Sequence, residues 1–470
     1  MFIEILEKLN GIAWGPWMLA LLVGTGLYLT FILKGVQFHK FIYALKNTVG
    51  KIFEKTDAKD GEITPFQAVS TALAASIGTG NIAGVTGAIA LGGPGAVFWM
   101  WISAIIGMAT KYSEIVLAVL YREKDHKGDW VGGPMYYIKN GLHPSFHFLS
   151  IMFCILGSIA AIGTGGMTQI NTIASSINTT LVSFGIHLSS FQILNQEIYY
   201  SSLLIGILLS FIVGLVLFGG IKRIGAVTEK IVPLMAITYV VLGLLLIIFN
   251  LPLVDDIISL IIKGAFNAKA ALGGAFGITL LKTIRNGIGR GVFSNEAGLG
   301  TAPMAHALTS ETNPVKQGLY GIFEIFADTI IVCTLTSFIV LCGYLKGIPI
   351  VWGTNAGVDL VSSSLATLFG SQFSSFMLSI CITLFALSTM LTWALYGARC
   401  FSFLFGDKTN KTYYFLFILF IIIGACLKLD VVWLIAETFN GFMIIPNLIA
   451  LLLLSNKVKQ LTFEYFKETR

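Results

Sequence analysis

The stretch STALAASIGTGNIAGVTGAIALGGPG, residues 70–95, carries no charged side chain and is apolar enough to enter a lipid bilayer. Yet Gly78, Gly80 and Gly84 crowd its middle, with Thr79 and Asn81 between them. Glycine costs about 1 kcal/mol relative to alanine inside a helix, so the cluster weakens the helix part-way across. In lipid, a backbone N–H or C=O freed by such weakening carries a large penalty unless something satisfies it. A break at this depth therefore predicts protein, water or ligand around it. The start of a half-helix suits an anionic group, and freed carbonyls suit a cation. Close packing of small residues is the competing explanation. It accounts for spaced small residues, but not for Gly-Thr-Gly-Asn in consecutive positions. The reading is a broken membrane helix.

The rest of the chain agrees with a membrane setting. Of 470 residues, 56% are hydrophobic and only 11% charged, and the mean hydropathy is +0.83. Those values exclude a soluble multidomain protein, and the apolar segments are too long for transmembrane strands. The net charge of +6 is read by location and does not indicate nucleic-acid binding. Cys154, Cys333, Cys342, Cys381, Cys400 and Cys426 lie in apolar segments or at their ends, without the close spacing of a disulfide framework or zinc site. The first apolar segment has a weak basic flank and is expected to be a retained span.

Eleven spans are expected, making this an all-α polytopic membrane protein. They cover residues 14–33, 66–91, 96–121, 148–184, 201–219, 231–251, 270–308, 318–342, 373–405, 413–427 and 431–454. The fourth is interrupted by Gly163-Thr164-Gly165-Gly166, and the seventh by a glycine-rich break near residues 291–300. Residues 253–269 read as a loop with a surface helix. Basic residues gather on the connections after spans one, three, five, nine and eleven, beginning with the lysine-rich loop from Lys34 to Lys59. By the positive-inside rule those connections are cytoplasmic, so the amino terminus lies outside and the carboxyl terminus inside. Lys263 and Lys269 run against that assignment. A cell-membrane, multi-pass location follows.

The second and seventh segments, both glycine-interrupted, are five spans apart. Five is odd, so matching helices cross in opposite senses, which is the pattern of an inverted repeat. The expected organisation is an extra helix and loop at 1–65, a first repeat at 66–251, a second at 252–455 and a cytoplasmic tail at 456–470. Chance clustering of 50 glycines is the alternative.

Four blocks carry a resemblance. GGPGAVFWMWISAIIG (residues 92–107), ASIGTGNIAG (75–84), GGPMYYI (132–138) and GVFSNEAGLGTAP (291–303) are similar to signature blocks of the alanine or glycine:cation symporter family. This family lies within the amino acid-polyamine-cation superfamily. The resemblance implies a leucine-transporter-like five-plus-five inverted repeat with one extra amino-terminal helix. It also implies uptake of a small neutral amino acid such as alanine or glycine, coupled to sodium or a proton. No cofactor beyond a coupling sodium is expected.

A zwitterionic amino acid brings a carboxylate and an ammonium, and both need partners away from water. Backbone N–H groups at the start of the second half-helix, with Gly78, Thr79, Gly80 and Asn81, suit the carboxylate. Ile162, Gly163 and Trp393 are candidates for the pocket wall, Gln169 for an amide contact, and Phe293 and Asn295 for contacts beside the second break. Trp393 is equally readable as an ordinary packing aromatic. The resemblance further implies a sodium between spans two and nine. Its ligands would be the carbonyls of Ala74, Ile77 and Phe385 and the hydroxyls of Ser388 and Thr389. A hydroxyl bonded back to its own helix is the plainer alternative.

Charges inside spans are expensive and suggest a role. Lys111 and Glu114, i and i+3, can pair locally. Arg290 and Glu296 flank the second break, where Asn295 and Glu296 either bond freed backbone groups or touch substrate. Glu324 and Asp328 share one face of the eighth span. For these carboxylates, Glu296 excepted, structural pairing is preferred to substrate contact. A membrane-embedded enzyme would need a nucleophile and base, or metal ligands, at one depth. His39, His126, His143, His147 and His187 fall in or near loops, His306 reads as solitary, and neither HExxH nor GxSxG occurs. No catalytic residue is expected. A channel is the other alternative, separable by its lack of solute accumulation.

Overall fold

A computed structural model of the chain describes residues 2–48, 50, 62–126, 128–193, 196–267 and 279–468. Among them, 9 helical segments are long and apolar enough to cross a membrane, and a bent pair makes 10. The 9 are Ile3–Ile32, Ala96–Leu120, Pro144–Ser183, Tyr200–Leu217, Gly220–Ile248, Pro314–Leu345, Ser371–Phe405, Asp407–Cys426 and Val431–Glu468. The bent pair, Pro65–Ser76 with Thr79–Gly92, turns by 53°. These match ten of the eleven expected spans in order. The seventh is the short helix Leu280–Asn295 followed by Ala302–His306; the start expected for it at residues 270–278 lies outside the described residues, as do Lys51, Lys55, Lys59 and Lys269.

Local chemistry sets the bend. Thr64 and Gln67 form a reciprocal cap: the Thr64 hydroxyl accepts the Gln67 N–H, and the Gln67 side-chain oxygen accepts the Thr64 N–H. Pro65 then starts a 12-residue helix ending at Ser76. Ile77 leaves helical geometry at φ −77°, ψ 88°, and Gly78 is fully extended. A single tight turn, Thr79–Asn81, opens the second half, which continues as Ala83–Gly92. Asn81 closes this turn by accepting the Gly78 N–H on its side-chain oxygen at 2.9 Å.

Burial separates centre from rim. In the third span 83% of the most apolar stretch is buried, against 33% in the sixth and tenth. Spans three, eight and nine therefore form the interior around both breaks. Phe211, Ile237 and Phe415 on the rim expose large apolar side chains, as a lipid-facing surface requires.

Three expectations are corrected and one, the place of the second break, is narrowed. The fourth span is not interrupted at its glycines: residues Ala161–Met167 continue the helix as a widened π turn. The seventh stays helical through Gly291 and breaks only after Asn295. The connection between spans eight and nine holds a further helix, Val358–Phe369. Finally, helix Phe2–Ala13 precedes the first expected span. Two short antiparallel hairpins, Glu123–Lys124 with Trp130–Val131 and Ser190–Ile193 with Gln196–Tyr199, decorate connections.

Candidate functional site

The first break is held by three neighbouring elements. From the ninth span, the Thr389 hydroxyl donates to the Ala74 carbonyl at 2.8 Å and to the Phe385 carbonyl at 3.0 Å. Ser388 donates to the same Phe385 carbonyl at 2.8 Å. Ala74, Phe385, Ser388 and Thr389 thus converge as oxygen-bearing groups, with Ile77 at the bend beside them. From the fourth span, the Gln169 side-chain oxygen accepts the Thr79 N–H at 3.3 Å. Its amide nitrogen donates to the Thr164 carbonyl at 3.0 Å. From the eighth span, Asp328 accepts the Asn81 amide at 2.6 Å. Gly78 lies at the crossing point: a Cβ there would stand 2.6 Å from Thr389 Oγ1 and 3.4 Å from Gln169 Oε1. Only glycine permits that approach.

The second break is braced differently. Glu296 sits in the left-handed region at φ 59°, a costly conformation for a residue with a Cβ. Its carboxylate accepts the Thr301 hydroxyl at 2.6 Å. Asn295 accepts the freed Ala297 N–H at 3.0 Å and donates to Thr329. The side-chain bonds of Asn295 and Glu296 therefore go to the break and its neighbours. Asp328 also accepts the Ser294 hydroxyl at 2.9 Å, so this one buried carboxylate ties the end of helix Leu280–Asn295 to Asn81 in the first break.

Two pairings differ from those the sequence suggests. Lys111 does not bond Glu114; it pairs with Glu324 at 3.0 Å, both fully buried. Glu114 instead accepts the Gly298 N–H and the Asn447 amide. His306 is not solitary, because its Nε2 lies 3.1 Å from Glu324 and its Nδ1 2.8 Å from the Gln317 amide. Glu324 and Asp328 are both engaged with protein groups, as preferred from the sequence.

Phe293 stands over Gly80, where an added Cβ would meet its ring at 3.5 Å. Trp433 stacks on Phe293 with ring centroids 5.3 Å apart. Arg290 lies over Trp433 at 4.9 Å and pairs with Glu437 at 2.7 Å. A cavity of about 240 Å³ lined by Ala83, Thr172 and Asp359 ends at Arg290 and Trp433. A second, of about 320 Å³, is lined by Trp14, Arg290, Phe293 and Glu437. Neither cavity is lined by Thr79, Asn81 or Gln169, which are buried. Trp433 and Glu437 were missed from sequence; their i, i+4 spacing was the available signal.

The proposed wall residues are spread more widely. Gly163 faces Ala436, with an added Cβ 3.2 Å from its Cα, and Ile162 is half-buried against the apolar core. Trp393 is seated on Gly165, whose added Cβ would overlap it at 2.0 Å, and packs edge-on with Tyr396. The packing alternative describes that environment.

The spanning helix broken at glycine is thus braced by one hydroxyl from the ninth span and one buried amide from the fourth. The model of the sodium:alanine symporter family matches residues 1–470. The chain belongs to the sodium:alanine symporter family. Within it, the chain is 41% identical to the sodium/alanine symporter AgcS of Methanococcus maripaludis, covering 100% of this chain and 98% of that one. It is 41% identical to an uncharacterized transporter of Haemophilus influenzae, covering 99% and 97%. It is also 36% identical to the probable sodium/glutamine symporter GlnT of Bacillus subtilis, covering 99% and 92%. Among solved structures, MhsT in complex with L-phenylalanine superposes with a TM-score of 0.57 at 13% identity, covering 86% of this chain and 99% of that one. That likeness shows the leucine-transporter-like fold. Family membership makes this a multi-pass, cation-coupled amino-acid transporter and not an enzyme.

Proposed function

We propose that the protein couples inward sodium movement to uptake of a small neutral amino acid, alanine or glycine, by alternating access across the cell membrane. One observation carries the reading: Thr389 of the ninth span reaches the Ala74 carbonyl of the broken helix at 2.8 Å, immediately beside Gly78. A sodium between Ala74, Ile77, Phe385, Ser388 and Thr389 would replace those hydrogen bonds with ion contacts, using hard oxygens only. The amino-acid carboxylate would meet the start of the second half-helix at residues 79–81, taking the Thr79 N–H over from the Gln169 side-chain oxygen. Gly80 allows close approach there, Phe293 and Trp433 form the lid, and Gln169 turns an amide toward the same turn. Ile162, Gly163, Asn295 and Trp393 would act from behind this lining.

In the proposed orientation the amino terminus is outside and the carboxyl terminus cytoplasmic, with residues 66–251 and 252–455 as inverted repeats. The Arg290–Glu437 pair then stands on the outer side of the lid. The test uses purified protein in proteoliposomes with an imposed sodium gradient and labelled alanine. Accumulation above the bath concentration, competed by unlabelled alanine and glycine, is the expected result. Equilibration without accumulation would make it a channel, and uptake driven by a pH gradient alone would make the coupling ion a proton.

A further inference from the structure

Lys111 stands on the third span with none of its side chain exposed, and its three N–H donors meet three acceptors. The Asn295 carbonyl lies 2.7 Å from Nζ, Glu324 Oε1 3.0 Å and Ser76 Oγ 3.3 Å. Ser76 is the last residue of helix Pro65–Ser76, and Asn295 the last of helix Leu280–Asn295. One ammonium therefore meets the C-terminal ends of the two helices that break. Each such end carries the negative pole of a helix dipole, which a cation stabilises.

The surroundings fix this ammonium in place. Glu324 gives one carboxylate oxygen to Lys111 and the other to His306, which is held in turn by Gln317. Gly321 lets the eighth span approach the Lys111 main chain, since an added Cβ would stand 3.2 Å from the Lys111 carbonyl. A lysine serving only to neutralise Glu324 would have no need of either break.

We propose that Lys111 is a positioning residue for symport, a fixed internal ammonium that sets the spacing of the two helix breaks. Because it touches both, a change at one break is carried to the other. The role rests on the transport reading above, in which the breaks hold ion and amino acid.

The experiment is hydrogen–deuterium exchange on the full-length protein in nanodiscs, read at residues 77–81 and 296–300. Two variants are compared with the parent: Ser76→Ala, which removes one acceptor and strands no charge, and Lys111→Met with Glu324→Gln, which removes the ion pair as a unit. Exchange at both breaks should rise by about tenfold or more in each variant. The sodium dependence of alanine binding should fall severalfold. Lys111→Arg keeps the charge but not the three-donor head, and should fall between. Parent-like exchange at both breaks in either variant overturns the proposal and leaves Lys111 as the partner of Glu324 alone. Exchange needs no ligand, so the parent's own alanine titration against sodium judges the transport reading separately.

Discussion

The Thr389 hydroxyl and the Ala74 carbonyl, 315 residues apart in sequence, meet at 2.8 Å. That bond joins the ninth span to the half-helix that ends at the first break. A shared ion at this place would make the shape of the break depend on sodium. By linkage, sodium and amino acid would then raise each other's affinity by the same factor.

Removing both hydroxyls with Ser388→Ala and Thr389→Ala should therefore weaken sodium binding by roughly tenfold or more, about 1.4 kcal/mol. Titrating alanine at several sodium concentrations should show a flattened dependence. A double variant with the parent's dependence would place the ion elsewhere.

Gly78 and Gly80 should respond differently to a methyl group. Gly78→Ala sets a Cβ 2.6 Å from Thr389 Oγ1 and should abolish uptake. Gly80→Ala meets Phe293 only at 3.5 Å and should retain transport. Gly80→Leu has no room beneath that ring and should lose uptake with the protein still inserted. The readout is labelled alanine uptake, normalised to protein in the membrane.

Lys111→Met alone leaves Glu324 without its buried cation and should cost about 3–5 kcal/mol of stability. Adding Glu324→Gln should recover much of it. Thermal unfolding of the two purified variants beside the parent checks both statements. Equal melting temperatures for single and double variants would contradict the pairing seen here.

The proposed orientation places Lys46 and Lys467 on the cytoplasmic side and Lys346 outside. Cysteines introduced at Lys46 and Lys467 should escape an impermeant maleimide in intact cells, whereas one at Lys346 should react. Five of the six native cysteines are buried, which keeps the background low.

The sequence made the first break legible because consecutive Gly-Thr-Gly-Asn has no good helical packing explanation, and residues 79–81 do begin its second half. The glycines at 163–166 carry a similar signal with a different cause. There Gly165 makes room for the Trp393 side chain inside a continuous helix, and composition alone does not separate the two uses. Long-range pairing was the larger gap. Lys111 has Glu114 one turn away in sequence, yet its partner is Glu324, because the eighth span crosses the third at Gly321. His306 gained its partners the same way. Helix Val358–Phe369 escaped notice because it is short and rich in serine.

The bend at Ile77–Gly78 also has an electrical consequence. With 12 helical residues before it and a turn plus 10 after it, the break lies near the middle of the span. A charge crossing a whole membrane gains or loses about 2.3 kcal/mol per 100 mV, so an ion stopping half-way meets roughly half of that. Membrane voltage would then contribute to how tightly such an ion is held, with opposite sign for arrival from the two faces. In an energised cell, the depth of the break would itself favour loading from one face and release toward the other.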